Sequence, residues 1–238
     1  MKNTILHKAN TRGHADHGWL NAYHSFSFAS WYNPERVQFG TLRVLNDDTV
    51  APGMGFGTHP HDNMEIITIP LEGDLAHKDS MGNTATIKTG DVQVMSAGTG
   101  IQHSEFNPNH DQRTKLFQIW LFPKIQNVEP RYQQITLDIT HQKNNFAQIL
   151  SPNANDEGVW IYQDAWFHLA NFDNGFSKTY TIKKENNGMY LFVISGTITV
   201  DQQELETRDG LGITNFKTLE IKATSDAKFL LMEIPMQQ

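Results

Sequence analysis

Two stretches of the chain share one pattern of strands, glycines and turns, and this internal repeat constrains the fold more than any other feature. Residues 66–98 read "IITIPLEGDLAHKDSMGNTATIKTGDVQVMSAG" and residues 190–215 read "YLFVISGTITVDQQELETRDGLGITN". In each, a hydrophobic run ends in a glycine, Gly73 or Gly196, and a hairpin and a second run follow. Because self-similar segments indicate copies of one supersecondary unit, we predict two tandem β-barrels of the same plan.

The remainder of the chain from about residue 37 onward also consists of short runs of β-branched, aromatic and aliphatic residues. Examples are "FGTLRVL", "TKLFQIWLF" and "KFLLMEIP", and turn formers such as "NDD", "NNG" and "RDG" separate such runs. No long segment has helical periodicity, and residues 153–165 are the one candidate for a short helical turn. The sequence therefore predicts an all-β fold of short antiparallel strands.

The length of the chain allows two domains of ordinary size. It has 238 residues, enough for a sizeable core in each barrel. The segment "PKIQNVEPRYQQ" is polar, contains prolines and has little strand pattern, as is typical of a connection between domains. We predict an N-terminal barrel in residues 1–130 and a C-terminal barrel in residues 131–238.

Composition excludes several classes of function. The formal net charge is -7 and there is no run of lysines or arginines, so we expect no direct binding of nucleic acid. Without any cysteine, a metal ion must be held by nitrogen and oxygen atoms. No apolar run is long enough for a membrane span or a signal peptide, so we expect a cytoplasmic protein that does not bind membranes.

Nine of the eleven histidines lie within the first 110 residues. Any chemistry that depends on histidine is therefore expected in the N-terminal half of the chain. Side chains two apart on a strand point to the same side, so His59 and His61 should share one face, and His103 and Glu105 another. If the two strands are neighbours, three imidazoles and a carboxylate converge. Such a set of ligands suits a divalent metal of the first transition row.

The residues around these two pairs resemble the paired motifs of the cupin fold. The framework is the series Gly53, His59, His61, Glu65, Gly73, Gly90, Ala97-Gly98, His103 and Asn107. More specifically, the chain resembles the bacterial branch of the pirin family that is linked to quercetin 2,3-dioxygenase activity. The segments "RGHADHGWL", "HSFSFASWY", "GFGTHPHDNMEI", "DSMGN", "MSAGTGIQHSE" and "DGLGI" carry this resemblance, in order, over nearly the whole chain.

The resemblance implies a bicupin, two tandem jelly-roll-like cupin barrels, with one metal ion in the first. That metal is usually iron, and its ligands correspond to His59, His61, His103 and Glu105. Nitrogen and oxygen ligands also suit manganese, cobalt, nickel and copper. Ordinary cupins take their glutamate ligand from the first motif, where this chain has Glu65, so Glu65 remains the alternative oxygen ligand.

The second barrel lacks the corresponding histidines. Counting back from Gly196 reaches Ile182 and Lys184, and counting forward from Gly210 reaches Ala223. We therefore expect no metal in this barrel, and a structural role in packing against the first.

Other histidines and aromatic residues have simpler interpretations. We expect His14, His17 and His24 to hold the amino-terminal segment on the barrel by hydrogen bonds and aromatic packing. His77 lies beside the "KDSMGN" hairpin and is predicted to be solvated. Phe56 is predicted to form a wall of the substrate pocket, whereas the remaining aromatic residues considered are predicted to be core: Phe26, Phe28, Phe39 and Trp120.

Two functions follow from this interpretation. The first is a metal-dependent dioxygenase for flavonols such as quercetin, in which Glu105 takes the proton of the substrate hydroxyl group. The resemblance to the pirin family implies that carbon monoxide is released. The second is a non-catalytic metal-binding regulator, a transcriptional cofactor whose surface responds to the redox state of the metal and is recognised by a protein partner. We expect the chain to be a monomer.

Overall fold

A computed structural model describes residues 2–138 and 143–237. The described residues form 22 strands and one short 3-10 helix, Ala9–Thr11, which confirms the all-β prediction. Among these same residues, no helix is long and apolar enough to cross a membrane. Residues 153–165, the candidate for a helical turn, instead contain turns and the short strand Val159–Trp160, so that expectation was wrong.

The first barrel pairs a seven-stranded antiparallel sheet with a four-stranded one. The strands of the larger sheet, in spatial order, are β12 (Arg131–Thr136), β9 (Asp91–Ser96), β6 (Glu65–Glu72), β11 (Thr114–Leu121), β4 (Leu42–Val50), β3 (Leu20–His24) and β2 (Gly13–Asp16). The strands of the smaller sheet are β5 (Gly55–His61), β10 (Ile101–Phe106), β7 (Asp74–Asp79) and β8 (Thr84–Lys88).

The second barrel repeats this arrangement. Its larger sheet contains β1 (Asn3–His7), β20 (Gly210–Thr214), β17 (Asn187–Ser195), β22 (Ala227–Pro235), β15 (Trp166–Phe172), β13 (Phe146–Ser151) and β14 (Val159–Trp160). Its smaller sheet contains β16 (Ser177–Thr181), β21 (Thr218–Ala223), β18 (Ile198–Val200) and β19 (Gln203–Leu205). The two barrels therefore have matching strand orders, as the internal repeat predicts.

The two large sheets pack against each other to join the barrels. The largest hydrophobic cluster contains residues of both sheets, and the rings of Phe117 and Phe192 meet edge to face with centroids 5.4 Å apart. Because apolar burial is the main favourable term in folding, this shared core makes one body of the two barrels. The smaller sheets cover the outer sides, and the metal-ligand candidates on β5 and β10 therefore lie inside the first barrel, away from the joint.

The edge strands of the two large sheets come from distant parts of the chain. Strand β1, at the amino terminus, pairs with β20 of the second barrel, whereas β12, which follows the first barrel, pairs with its strand β9. The predicted division at residues 130 and 131 remains a prediction. Strand pairing places the strands of residues 13–136 in the two sheets of the first barrel and residues 3–7 in the large sheet of the second.

The repeated glycine has the same backbone conformation in both barrels. Gly73 has a φ of 74° and Gly196 a φ of 81°, in the left-handed region that side chains other than glycine rarely adopt. A Cβ atom at Gly73 would lie 2.8 Å from the carbonyl oxygen of Arg113, and one at Gly196 would lie 2.1 Å from that of Asp226. Each glycine is thus required by the turn that leaves the first strand of the repeat.

Candidate metal centre

Three imidazole rings meet inside the first barrel. Strand β5 carries His59 and His61, and its antiparallel neighbour β10 carries His103 directly opposite His59. The ring centroids lie 4.9 Å apart for His59 and His61, 4.4 Å for His59 and His103, and 5.0 Å for His61 and His103. One nitrogen from each ring lies within 4.8 Å of the others, which is close enough for one metal ion to bind all three.

The nitrogen atoms of these rings fit a metal ion. Within the described part of the chain, neither ring nitrogen of His103 has a hydrogen-bond partner, nor does the buried Nε2 of His61. Nδ1 of His59 donates to the carbonyl oxygen of Gly57 at 2.8 Å, which leaves the lone pair on Nε2. Buried polar atoms without partners are costly, and coordination of a cation removes that cost.

Burial also keeps two of the rings neutral, the form that binds metal. Desolvation, with smaller contributions from neighbouring histidines, lowers the pKa of His61 to about 4 and that of His103 to about 2. Neither ring therefore has to lose a proton near neutral pH before it can coordinate.

Glu105 lies next to His103 on the same face of β10. Its side chain is 3% exposed, and Oε2 accepts a hydrogen bond from Gln118 Nε2 at 3.0 Å. Thr68 Oγ1 lies 3.5 Å from Oε1. Burial raises the pKa of Glu105 to about 7, against the opposing effect of these hydrogen bonds. A carboxylate in this position has no cation to neutralise it among the described residues, and a metal ion would supply that charge.

The prediction that His77 is solvated was wrong. His77 is 2% exposed and lies inside the barrel, because Leu75, His77 and Asp79 alternate along β7 and all face inward. Its Nε2 lies 3.3 Å from Asp79 Oδ2, and ligand atoms of His77, His103 and Glu105 lie within 4.8 Å of one another. The alternation of these three residues in the sequence indicates that they share a face, and the apolar Leu75 was the one local signal that this face is the buried one.

Glu65, the alternative oxygen ligand, lies elsewhere. It belongs to β6, on the side opposite to Thr68, and its Oε2 accepts a hydrogen bond from Ser96 Oγ at 2.7 Å. Neither of the two clusters of potential metal ligands in residues 2–138 and 143–237 contains Glu65. Glu105, and not Glu65, therefore belongs to a cluster that includes one of the three imidazoles, that of His103.

A cavity of about 440 Å³ opens beside the candidate centre. His59 and Glu105 form part of its wall, and four aromatic side chains form much of the rest: Trp19, Phe28, Phe56 and Trp120. Phe56, predicted as a pocket wall, lines this cavity, and so do Phe28 and Trp120, which were predicted to be core. Aromatic walls with a few polar groups are typical of sites for small aromatic ligands.

A larger cavity, of about 830 Å³, lies between the two barrels. Its wall includes Phe122, Lys184 and Pro235, but none of the four predicted metal ligands. Volume alone would favour this cavity, yet two of the four candidate ligands, His59 and Glu105, border the smaller one. We therefore assign the chemistry to the smaller cavity.

Two of the three amino-terminal histidines, His14 and His24, make the predicted kind of contact, whereas His17 contributes a backbone hydrogen bond to Leu20. The ring of His14 stacks on Tyr23 at 4.5 Å, and Nδ1 of His24 lies 2.9 Å from Asn46 Oδ1. Because β3 pairs with β4, these contacts hold the amino-terminal strands on the first barrel.

The strand pairing in the structure changes which residues of the second barrel correspond to the four candidate ligands of the first. Glu105 is opposite His77, four residues after Gly73, and Ile221 is opposite Val200, four residues after Gly196. On this register the counterparts of the four candidate ligands, in the order His59, His61, His103 and Glu105, are Tyr180, Ile182, Leu219 and Ile221. Counting along the sequence had instead matched Ile182 to His59, Lys184 to His61 and Ala223 to His103, because the loops of the two barrels differ in length.

Comparison with protein families and known proteins supports both barrels. Residues 6–121 match the family described as Pirin, and residues 148–234 match the quercetinase C-terminal cupin domain. The quercetin 2,3-dioxygenase of Escherichia coli K12 is 42% identical over 230 residues, covering 97% of this chain and 98% of that protein. A pirin-like protein of Caulobacter vibrioides is 40% identical over 222 residues, covering 93% and 95%.

Solved structures show the same fold. The crystal structure of YhhW from Escherichia coli has a TM-score of 0.94 and 40% identity, covering 99% of this chain and 100% of that one. The nickel(II) complex of YhhW, described as a bacterial pirin, has a TM-score of 0.93 and 40% identity, covering 98% and 99%. The expected tandem cupin fold is thereby confirmed, and this chain is a member of the pirin family.

Proposed function

We propose that the chain binds one divalent transition metal, iron in the cell, and uses it as a dioxygenase of flavonols such as quercetin. The observation that carries this proposal is the convergence of three imidazoles, two of them with unpartnered nitrogens, beside an aromatic cavity that His59 and Glu105 border. The relatives named quercetin 2,3-dioxygenase support the choice of reaction.

The proposed ligands are His59, His61, His103 and Glu105. Gly57 orients His59 through the bond to Nδ1, and Gln118 and Thr68 hold the carboxylate of Glu105. Groups of this kind fix ligand orientation, so the site needs little rearrangement to receive an ion.

The chemistry follows from the surroundings of these ligands. A divalent metal held by these residues would supply Lewis acidity towards a substrate oxygen. The aromatic walls bind flat rings and exclude water from them. Glu105, with a pKa of about 7, accepts the proton of the substrate hydroxyl group. Dioxygen would then add one oxygen atom to each of C2 and C4 of the flavonol, the C2–C3 and C3–C4 bonds would break, and C3 would leave as carbon monoxide, which completes the proposed reaction.

The metal used in the cell is open to direct test. Nitrogen and oxygen ligands accept iron, manganese, cobalt, nickel and copper, and YhhW forms a complex with nickel(II). Metal analysis of protein purified from its native host should find one equivalent of iron per chain. Another metal at one equivalent would change the cofactor but retain the site.

Turnover is tested by loading the protein anaerobically with each metal and then adding flavonol and air. We expect loss of the flavonol absorbance together with release of carbon monoxide for at least one metal. No turnover with any of these metals would contradict the proposed reaction. Metal binding without turnover would support the alternative, a redox-responsive regulator recognised by a protein partner.

A further inference from the structure

Two consecutive carboxyl groups on β4 have opposite surroundings. Asp47 faces the second barrel, where its Oδ2 accepts from Arg12 Nη1 at 3.1 Å and from Arg208 Nε at 2.8 Å. Asp48 points to the other side of the strand, into the first barrel, and is 5% exposed. Across the described residues, no hydrogen bond or ion pair involves the Asp48 carboxyl group, and its Oδ1 is fully buried.

The fold gives no structural reason for a carboxyl group at Asp48. Its neighbours across the two adjoining strands are Ala22 and Leu116, which are both apolar and buried. At the matching register of the second barrel the chain has Ala170. A buried polar group without a partner costs about 1–3 kcal/mol. Such groups are rare in native proteins and concentrate at functional sites.

Asp48 lies on the wall of the aromatic cavity beside the candidate metal centre. The polar part of this wall also contains His24 and Asn46, which hold each other through the 2.9 Å contact between Nδ1 and Oδ1. His59 and Glu105 border the same cavity. An aromatic ligand that fills this cavity and places one oxygen atom at the metal centre therefore also contacts the polar wall formed by Asp48, His24 and Asn46.

We propose that Asp48 is a specificity-determining residue that forms a hydrogen bond with a second hydroxyl group of the aromatic ligand. This inference rests on the proposed function because it uses the same cavity and centre. It narrows the substrate class to aromatic compounds with at least two hydroxyl groups. A ring without the second hydroxyl group leaves Asp48 unpaired and is bound more weakly.

The test compares two small probes, 1,3-dihydroxybenzene and 3-methylphenol, on the metal-loaded protein. They are similar in size and differ by one hydroxyl group, and the 1,3 arrangement cannot chelate a single ion. We expect the wild type to prefer the diol by about 10- to 100-fold in Kd, measured by calorimetry. Asp48→Leu should reduce the ratio to about one, whereas Asp48→Asn should retain most of it.

Asp47→Asn is the matched control, because it removes the neighbouring carboxylate but not the cavity wall. It should lower stability through the loss of its arginine partners and leave the preference for the diol unchanged. Metal content, measured for each variant, should equal that of the wild type. If circular dichroism shows that Asp48→Leu does not fold, Asp48→Ala, which has the side chain found at the matching position of the second barrel, replaces it.

The outcomes separate this inference from the proposed function. A wild type without preference for the diol, or a leucine variant that retains the preference, overturns the role of Asp48 even if flavonols are cleaved. An Asp48-dependent preference in a protein that cleaves no flavonol supports the role of Asp48 and contradicts the proposed reaction.

Discussion

The two barrels share one backbone plan and differ in what fills them. Their strands follow matching spatial orders in both the large and the small sheets. The first barrel contains a polar cluster around His103, whereas the interior of the second is mainly hydrophobic, and its buried Glu233 is held by hydrogen bonds from Tyr180 and Asn187. The comparison shows that the strand order provides the frame, and that the inward-facing side chains decide which barrel can do chemistry.

The difference extends beyond the metal ligands to the large sheet behind them. Strand register matches Thr68, Gln118 and Asp48 of the first barrel with Leu191, Leu231 and Ala170 of the second. The polar residues support Glu105 or line the cavity, and their apolar counterparts pack in the core. The first barrel thus has polar residues that form a site at positions where the second barrel has apolar residues that stabilise its core.

The largest expected effect is loss of metal from the first barrel in His103→Ala. His103 is the member shared by both clusters of potential ligands, so its loss should lower affinity by more than about 100-fold. Metal content after dialysis, measured by atomic spectroscopy, checks this. His168→Ala, which removes a buried histidine of the second barrel, is the control and should retain full loading. A fully loaded double variant His59→Ala/His103→Ala would contradict the assignment.

The second barrel should respond in stability and not in metal binding. Ile221→Ala, at the position that matches Glu105, should lower the free energy of unfolding by about 2–5 kcal/mol because it opens a cavity in a fully buried core. Ile221→Val should cost only about 0.5–1.5 kcal/mol. Denaturant unfolding and metal content of the same samples provide the test. Reduced metal loading in the folded alanine variant would show that the second barrel also contributes to metal binding.

A smaller effect should distinguish the two glutamates of the first barrel. Glu105→Gln should weaken metal binding by about 10- to 100-fold because Glu105 is the one carboxylate in either cluster of potential ligands among the described residues. Glu65→Gln keeps a side chain of the same size next to Ser96 and should leave affinity nearly unchanged. Competition with a chelator of known affinity measures both. The reverse order would transfer the oxygen ligand to Glu65.

The smallest effect is the pH dependence of metal binding. Three histidines with the ordinary pKa near 6.5 would release three protons on binding below that pH. His61 and His103, with pKa values of about 4 and about 2, are already neutral at pH 5. Glu105, raised to about 7, holds its proton below that pH and must release it. We expect a slope of log affinity against pH between 5 and 7 well below three.

The pH series also separates metal binding from folding. Circular dichroism of the same samples should show an intact β signal where metal has been lost, because each barrel has an apolar core of its own. A slope of three would mean that the rings are solvated in the metal-free protein. A β signal that disappears together with the metal would mean that the ion is part of the fold.

The sequence by itself determined the repeat, the strands and which side chains of one strand share a face. The glycines at 73 and 196 and the pairs His59/His61 and His103/Glu105 are local patterns; both glycines have the left-handed conformation, and His59 lies opposite His103 on the neighbouring strand. Local patterns suffice here because backbone conformation and strand alternation depend on neighbouring residues alone.

Only the tertiary structure decided which face of each strand lies inside. The alternation of side chains along β7 indicates that Leu75, His77 and Asp79 share a face. Whether that face is buried depends on β10 and the opposite sheet. The same holds for Glu65, on the far side of β6, and for the aromatic cavity, whose walls come from residues 19–120. The physical reason is that period two specifies relative orientation, while burial is set by what packs on the strand.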